Sequence, residues 1–309
     1  MSARDVIGLG FATLDTIGLV PHLPDLDAGV LLEDLTRQGG GPVAQALVTL
    51  ARLGASVGFV GRIGDDEVGA EIRSGLTGEG VDISFLQIEP GARSPQSMIL
   101  VDKPTGKRSI CAFRGTADDI EVADDTLDYL CCGRFLHLDG HSPAAALAAA
   151  EAAAERGVRT CLDAGAGASI DHLLPLVRAT TVLIAAEQFA MSVSPDGMHK
   201  TGEARLLEMG PEIVVVTRGE QGSTTLTADT AFSTAAFPVS VVDTTGAGDV
   251  FHGAYLYGLL QGWDLMSTAE FAGATAALKC TRLGGRAAIP RLPEVLDFLA
   301  EHGRQWVRT

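Results

Sequence analysis

The sequence predicts an α/β fold in three layers, a central and mostly parallel sheet with helices on both faces, carrying a small β lid. Two patterns support this. From Arg134 onward, short apolar runs alternate with helix-length stretches. A pair of strand-like runs around Lys103-Pro104-Thr105-Gly106 stands outside that alternation. The chain of 309 residues is read as one domain, 1–309, with lid segments at about 12–37 and 95–115.

Taken in order, Val6 to Leu9 is a buried first strand ending at Gly10. Pro21 to Asp27 is a turn-rich loop, and Val30 to Arg37 forms an exposed strand. After Gly39-Gly40-Gly41, Ala44 to Leu53 has helical apolar spacing and stops at Gly54, a natural C-cap. Val57 to Val60 is a second buried strand, followed by the acidic loop Gly64-Asp65-Asp66 and a helix through Leu76. Ser97 to Val101 and Arg108 to Phe113 read as a hairpin. Phe135 to Leu138, the alanine-rich helix Ala144 to Arg156, Val158 to Asp163, Thr181 to Ala185 and Ile213 to Thr217 then supply the alternation. Phe237 to Val242 is an apolar strand candidate, with a long apolar helix over Val250 to Leu260 behind it.

Composition excludes several classes. Apolar residues at 46% and charged residues at 20% suit a packed globular chain and not a disordered one. A net charge of -16 repels nucleic acid and anionic membrane surfaces, because binding a polyanion rests on Lys and Arg. Aromatics at 5% give little surface for base stacking. The five cysteines, Cys111, Cys131, Cys132, Cys161 and Cys280, form no C-x-x-C, so neither a zinc site nor a disulfide framework is expected. No secretory h-region or membrane-length apolar run is visible, and the chain reads as cytoplasmic.

The chemistry concentrates at Asp243-Thr244-Thr245-Gly246-Ala247-Gly248-Asp249. A glycine-rich turn that opens a helix binds phosphate, since free N–H groups and the helix dipole face the anion. A carboxylate beside bound phosphate would repel it, so Asp249 is better used as acceptor of a proton from an attacking hydroxyl. Together these suggest phosphoryl transfer from a nucleotide to an alcohol. The bland reading is a glycine turn capped by Asp. No Walker A string G-x-x-x-x-G-K-[ST] occurs. Gly8-Leu9-Gly10 begins a dinucleotide fingerprint, but Thr13 stands where its third Gly or Ala belongs, which makes a dehydrogenase the runner-up.

At these residues the chain resembles the ribokinase-like family of sugar and nucleoside kinases, also known as PfkB. The C-terminal signature is Asp243 to Ala254; the N-terminal one is Gly40-Gly41-Pro42-Val43-Ala44-Gln45-Ala46, then Leu53-Gly54 and Gly61-x-x-Gly64-Asp65-Asp66-x-x-Gly69. The wording looks closest to the ketohexokinase and sulfofructose kinase branches. The resemblance implies MgATP as donor and a β lid that often mediates dimerisation. It matches Asp249 to the catalytic base and the backbone of Gly246, Ala247 and Gly248 to an anion hole. Thr217, Gly219 and Gly222 match the nucleotide loop. Thr13, Asp15, Gly40, Gly41, Gln45 and Asp139 match sugar-binding positions. Asp243 and Thr245, with carbonyls near Arg282 and Gly284, match a loop for a monovalent cation such as K+.

The departures concern the pocket. Gln45 replaces the family's Asn. The N-x-x-E of a magnesium-associated water network reads Ala186-Glu187-Gln188-Phe189, leaving Glu187 as its acid, and Ala288 replaces a serine of the cation loop. Asp139 and Ala112 stand where sulfonate-binding members carry Arg and Asn. Carboxylates accept sugar hydroxyls and repel anions, so a neutral ketose such as fructose is expected as acceptor. Arg108 or Arg114 on the lid could instead contact phosphates or an anionic acceptor. A nucleoside kinase, or a non-catalytic sugar- or nucleotide-binding regulator, are the alternatives. His137 and His141 flank Asp139, but a strand followed by a loop does not gather three metal ligands, and His252 is assigned to packing or hydrogen bonding.

Overall fold

A computed structural model describes residues 4–165, 170–195 and 197–304. Its main sheet has eight strands in the order β14-β13-β12-β11-β10-β9-β1-β4. These are β1 (Arg4–Leu9), β4 (Val57–Val60), β9 (Gly133–Leu138), β10 (Arg159–Ala164), β11 (Val182–Ala186), β12 (Ile213–Thr217), β13 (Ser223–Leu226) and β14 (Ala231–Thr234). The first six are parallel to one another, and β13 and β14 are antiparallel additions.

Alternation along each strand sends neighbouring side chains to opposite faces. Val6, Phe135, Ile213 and Val215 enter one core, and Ile7, Leu9, Leu136, Val214 and Val216 enter the other. The first core is completed by α1 (Pro42–Leu53), α2 (Glu67–Gly78), α8 (Ala247–Gln261), α9 (Leu265–Lys279) and α10 (Leu292–Glu301). The second is closed by α3 (Asp124–Leu130), α4 (Pro143–Glu155), α5 (Ile170–Arg178), α6 (Glu187–Ser192) and α7 (His199–Glu208). Both cores form because every parallel strand is covered on both sides, as the continuous apolar runs required. Helix α4 packs through Ala145, Ala146, Ala149, Ala150 and Ala153, whose small side chains allow close approach to the sheet.

Local signals set the helix ends. Pro42 begins α1, and Gly54 ends it in the left-handed region, its N–H returning to the Ala51 carbonyl (3.0 Å). Asp66 caps α2 by accepting from the Gly69 N–H (2.9 Å), and its other oxygen accepts from the Ser94 N–H (3.0 Å). Part of the N-terminal signature is therefore architectural.

The segments expected to form a lid make a second sheet, β3-β2-β7-β8, from β2 (Thr13–Val20), β3 (Asp34–Gly40), β7 (Gln96–Asp102) and β8 (Arg108–Phe113). Cross-strand register places Gln38, Asp15, Ser97 and Ala112 in one row. The remaining strands, β5 (Arg62–Gly64) and β6 (Gln87–Glu89), form a two-stranded ribbon.

Two expectations fail. Residues 237–242 form no strand; Pro238 has no N–H to give a ladder, Val241 is exposed, and the Val242 N–H bonds the Cys280 carbonyl beyond α9 (2.8 Å). The lid strand expected from Val30 starts only at Asp34, where its pairing to β2 begins.

Candidate active site

Because β1, β9, β10, β11 and β12 run parallel, their C-terminal ends share one rim. Gly10, Asp139, Asp163, Glu187 and Thr217 stand at that rim, where open α/β sheets hold their ligands. Helix α8 begins beside it. Gly246 is the N-cap at φ 75°, a left-handed backbone that a side chain would strain. The Ala247 N–H closes a turn on the Thr244 carbonyl (3.2 Å), and no acceptor among the described residues meets the N–H groups of Gly246, Gly248 or Asp249. Three free donors at a helix N-terminus are an arrangement suited to an anion. Of the three residues expected to line the anion hole, Gly246 and Gly248 have free N–H groups and Ala247 has its own engaged in this turn.

Asp249 lies in the first turn of α8, and its carboxyl is raised to about 6. Burial is the main cause; the charges of Asp15 and Asp139 push the same way, while Arg108 and Lys279 oppose them. Arg108 reaches across from the lid, its Nη1 donating to Thr244 Oγ1 (3.1 Å). A cation from β8 therefore stands over the glycine loop, where its charge acts on Asp249.

The lid and rim supply polar groups facing Asp249. Asp15 is buried and accepts from Thr13 Oγ1 (2.7 Å). Burial raises its carboxyl, against hydrogen bonds from Thr13 and Ser97 and the charge of Arg286. A Cβ on Gly40 would overlap the Asp15 carboxylate, which explains that half of the diglycine, and one on Gly41 would overlap the Phe11 carbonyl. Asp139 is already engaged: Oδ2 accepts from the Phe11 N–H (2.8 Å) and Oδ1 from the His141 N–H (3.0 Å). Burial alone would raise its carboxyl, but the His141 side chain, 3.2 Å away, outweighs this and holds it low. The same pairing raises His141 despite burial, and its ring stacks on Phe11 at 4.7 Å.

Gln45 is buried between two partners. Its Oε1 accepts from Arg286 Nε (3.0 Å), and its amide nitrogen faces Gly246 and Gly285. The side chain thus places its amide between a buried arginine and the glycine loop. Arg286, pushed down to about 10 by burial, also acts electrostatically on Asp15. Nothing in the local sequence distinguished it from a surface arginine, since its partners lie some 240 positions away.

In the loop expected to hold a monovalent cation, Asp243 is fully buried. Its Oδ1 accepts from the Thr245 N–H and its Oδ2 from the Gly284 N–H, both at 2.7 Å. The buried ammonium of Lys279 donates to the Asp243 carbonyl (2.9 Å). Arg282 lies two residues before Gly284 in this turn, outside both cores. On the nucleotide side, Thr217 ends β12, and Gly219 and Gly222 bracket a 3-10 turn at φ 55° and 85°. Glu187 opens α6, with His199 3.7 Å away. Phe189 is buried in the second core, so the last acid of N-x-x-E has become a packing residue. The sequence reading missed Lys279, Asp163 and Arg286, each a polar side chain within apolar or glycine-rich surroundings.

Free N–H groups at a helix start, a carboxyl raised by partial burial and a polar second sheet fit a small-molecule phosphotransferase site. Residues 4–292 match the pfkB family of carbohydrate kinases, and the chain belongs to that family. It is 26% identical over 326 residues to a 5-dehydro-2-deoxygluconokinase of Clostridium perfringens, covering 98% of this chain and 94% of that protein. It is 27% identical to an ATP-dependent ribose-1-phosphate kinase of Halopiger xanaduensis, over 96% of this chain and 98% of that one. A ribokinase-assigned structure from Agrobacterium tumefaciens superposes with a TM-score of 0.89 at 27% identity, covering 98% and 100% of the two chains. These relatives bear neither the ketohexokinase nor the sulfofructose kinase name that the local wording suggested.

Proposed function

We propose that the chain transfers the γ-phosphoryl group of ATP to a primary hydroxyl of a sugar. The observation that carries this is Asp249, a carboxyl held near 6 in the first turn of the helix that offers its N–H groups to phosphate. Ionised at neutral pH, Asp249 takes the hydroxyl proton as the oxygen attacks the γ-phosphorus; the bond to the β-phosphate oxygen breaks and ADP leaves. The free N–H groups of Gly246, Gly248 and Asp249 receive the charge of the transferring phosphoryl, and Arg108 adds a cation from the lid. Mg2+ is usually held largely by the phosphates, with one or two protein carboxylates, and neutralises their charge. Glu187, half-buried at the end of β11, fits the acidic part of such a site.

For the acceptor, buried Asp15 with Thr13, together with Gly40, Gly41, Gln45 and Asp139, supports a neutral ketose such as fructose. A second reading is an acidic or phosphorylated sugar. It is favoured by Arg108 and Arg114 on the lid segment, the His141 partner that offsets Asp139, and the names of the relatives. Lys279 supplies a fixed positive charge at the Asp243 loop, which supports turnover without added K+. The outward face of the second sheet, with Leu35 on β3 and Met98 on β7 exposed, supports a homodimer closing lid against lid.

The test is coupled ADP release with ATP and Mg2+ over fructose, other neutral ketoses, 5-dehydro-2-deoxygluconate, ribose 1-phosphate and nucleosides. Turnover with a neutral ketose at the highest kcat/KM supports the first reading, and an anionic sugar in first place replaces it with the second. A nucleoside in first place would make the chain a nucleoside kinase. ATP and sugar binding with no turnover would make it a regulator.

A further inference from the structure

Behind the phosphate loop, three elements bring together His137 from β9, Asp163 from β10 and His252 from α8. One ligand atom from each lies within 4.8 Å of the other two. All three are buried, at 0%, 5% and 3% relative exposure. Neither histidine was grouped this way from sequence. The His137 ring meets that of His252 at 5.8 Å between centroids, with the charge of Asp139 also acting on it, and His252 lies one turn after Asp249 on α8.

The two imidazoles are incompletely satisfied. His137 Nδ1 lies 3.2 Å from the Cys161 carbonyl. A carbonyl only accepts, so Nδ1 carries the hydrogen and Nε2 presents a bare lone pair. That Nε2 has no partner, and neither does His252 Nδ1, which stands 3.5 Å from Asp163 Oδ2 without a hydrogen-bonding geometry. Buried polar atoms are rarely left unpaired, because each costs about 1–3 kcal/mol. A single proton on Asp163 could serve one of the two nitrogens and not both.

We propose that His137 Nε2, His252 Nδ1 and Asp163 form a binding site for one borderline transition-metal ion, Zn2+ being the best match. Two imidazoles and a carboxylate are its characteristic donor set. Fixing one imidazole through its other nitrogen onto a carbonyl is how metal-ligating histidines are oriented. A tetrahedral ion with bonds of about 2.0–2.2 Å spaces its ligand atoms roughly 3.3 Å apart. The His252–Asp163 pair already stands near that value at 3.5 Å, and all three ligand atoms lie within 4.8 Å of one another. The site differs from that of the Mg2+ travelling with nucleotide, because a hard cation takes oxygen ligands and leaves imidazole. Its role is to tie β9, β10 and α8 together immediately behind the catalytic turn, and it does not depend on which sugar is phosphorylated.

The experiment uses the full-length protein, purified without a metal-affinity step and freed of metal by chelator, in the absence of ATP and sugar. Titration with Co2+ is followed by its visible d–d absorption, and Zn2+ is then added as competitor. The expected result is one equivalent of Co2+ with the intense spectrum of a tetrahedral site, displaced by one equivalent of Zn2+, and a rise in thermal midpoint with Zn2+ but not with Mg2+. His252→Ala should lose the spectrum and the shift, while His22→Ala, an exposed histidine, should keep both. The wild-type titration alone decides the matter if the His252 variant does not fold. Absence of stoichiometric binding would overturn the proposal and leave a bridging water as the occupant; so would a spectrum unchanged in His252→Ala. Loss of kinase activity bears on neither outcome, so failure here is distinct from failure of the kinase reading.

Discussion

Replacing Asp249 with Asn should make the protein more stable and nearly inactive. A carboxyl moved from 3.8 in the unfolded chain to about 6 in the folded one binds its proton more tightly when folded. Stability is therefore unaffected by it below about pH 3.8 and falls as pH rises to about 6. At pH 7.5 the cost of keeping it ionised is about 3 kcal/mol, and at pH 4.5 about 1 kcal/mol. Asn removes the ionisation and keeps the shape. The charges of Asp15, Asp139 and Asp163 relax with it, and the side chain is not fully enclosed, so the net gain at pH 7.5 should be about 1–3 kcal/mol. Urea unfolding at pH 7.5 and 4.5 reads the gain and its shrinkage. Loss of the proton acceptor should lower kcat by roughly 10²–10⁴-fold, with nucleotide affinity almost unchanged. A variant that is no more stable at pH 7.5, or one whose gain is the same at both pH values, would refute the burial argument. A variant with near-wild-type kcat would remove Asp249 from the role of base.

The same group predicts that kcat/KM in the wild type rises with pH to a plateau, with an apparent midpoint near 6; a pH-independent rate from 5 to 8 would contradict this. Gly40→Ala puts a methyl into the Asp15 carboxylate and should reduce kcat/KM for the sugar by roughly 100-fold, about 2.7 kcal/mol, while nucleotide binding measured by calorimetry stays within a factor of about two. Lys279→Met should remove the fixed cation at Asp243 and make activity low and dependent on added K+, whereas the wild type should run equally in K+ and Na+ buffers. An unchanged Lys279→Met enzyme would show that the ammonium is only structural.

What could be read beforehand divides by the range of the physics involved. Strand β4 over Val57–Val60 and strand β12 over Ile213–Thr217 were legible to the residue, because a fully buried strand writes a continuous apolar run between turn signals. The helix stop at Gly54 and the turn at Gly246 were legible because a left-handed backbone demands glycine. The apolar run at 237–242 misled because the same composition serves a segment packed as coil against the end of α9, where Pro238 forbids a ladder.

The site was legible as a set of positions and not as an electrostatic system. Spacing alone identified Asp249, but its proton affinity is set first by burial and then by the charges of Arg108, Asp15, Lys279 and Asp139, which arrive from the second sheet, the main sheet and α9. The substitution of Gln45 for Asn looked like a reshaped pocket. Its meaning depends on Arg286, whose guanidinium it accepts from a turn at the far end of the chain. A buried arginine paired through an amide and acting on Asp15 changes what the acceptor site tolerates. With Arg286 and His141 both offsetting the acids that had pointed to a neutral sugar, the pocket carries less negative charge than Asp15 and Asp139 suggest by themselves. Replacing Arg286 with Met therefore separates the two acceptor readings. Affinity for a neutral ketose should change little beyond the loss of packing, whereas KM for an anionic sugar should rise at least tenfold, and equal effects on both would mean that Arg286 acts only through Gln45 on the phosphate loop.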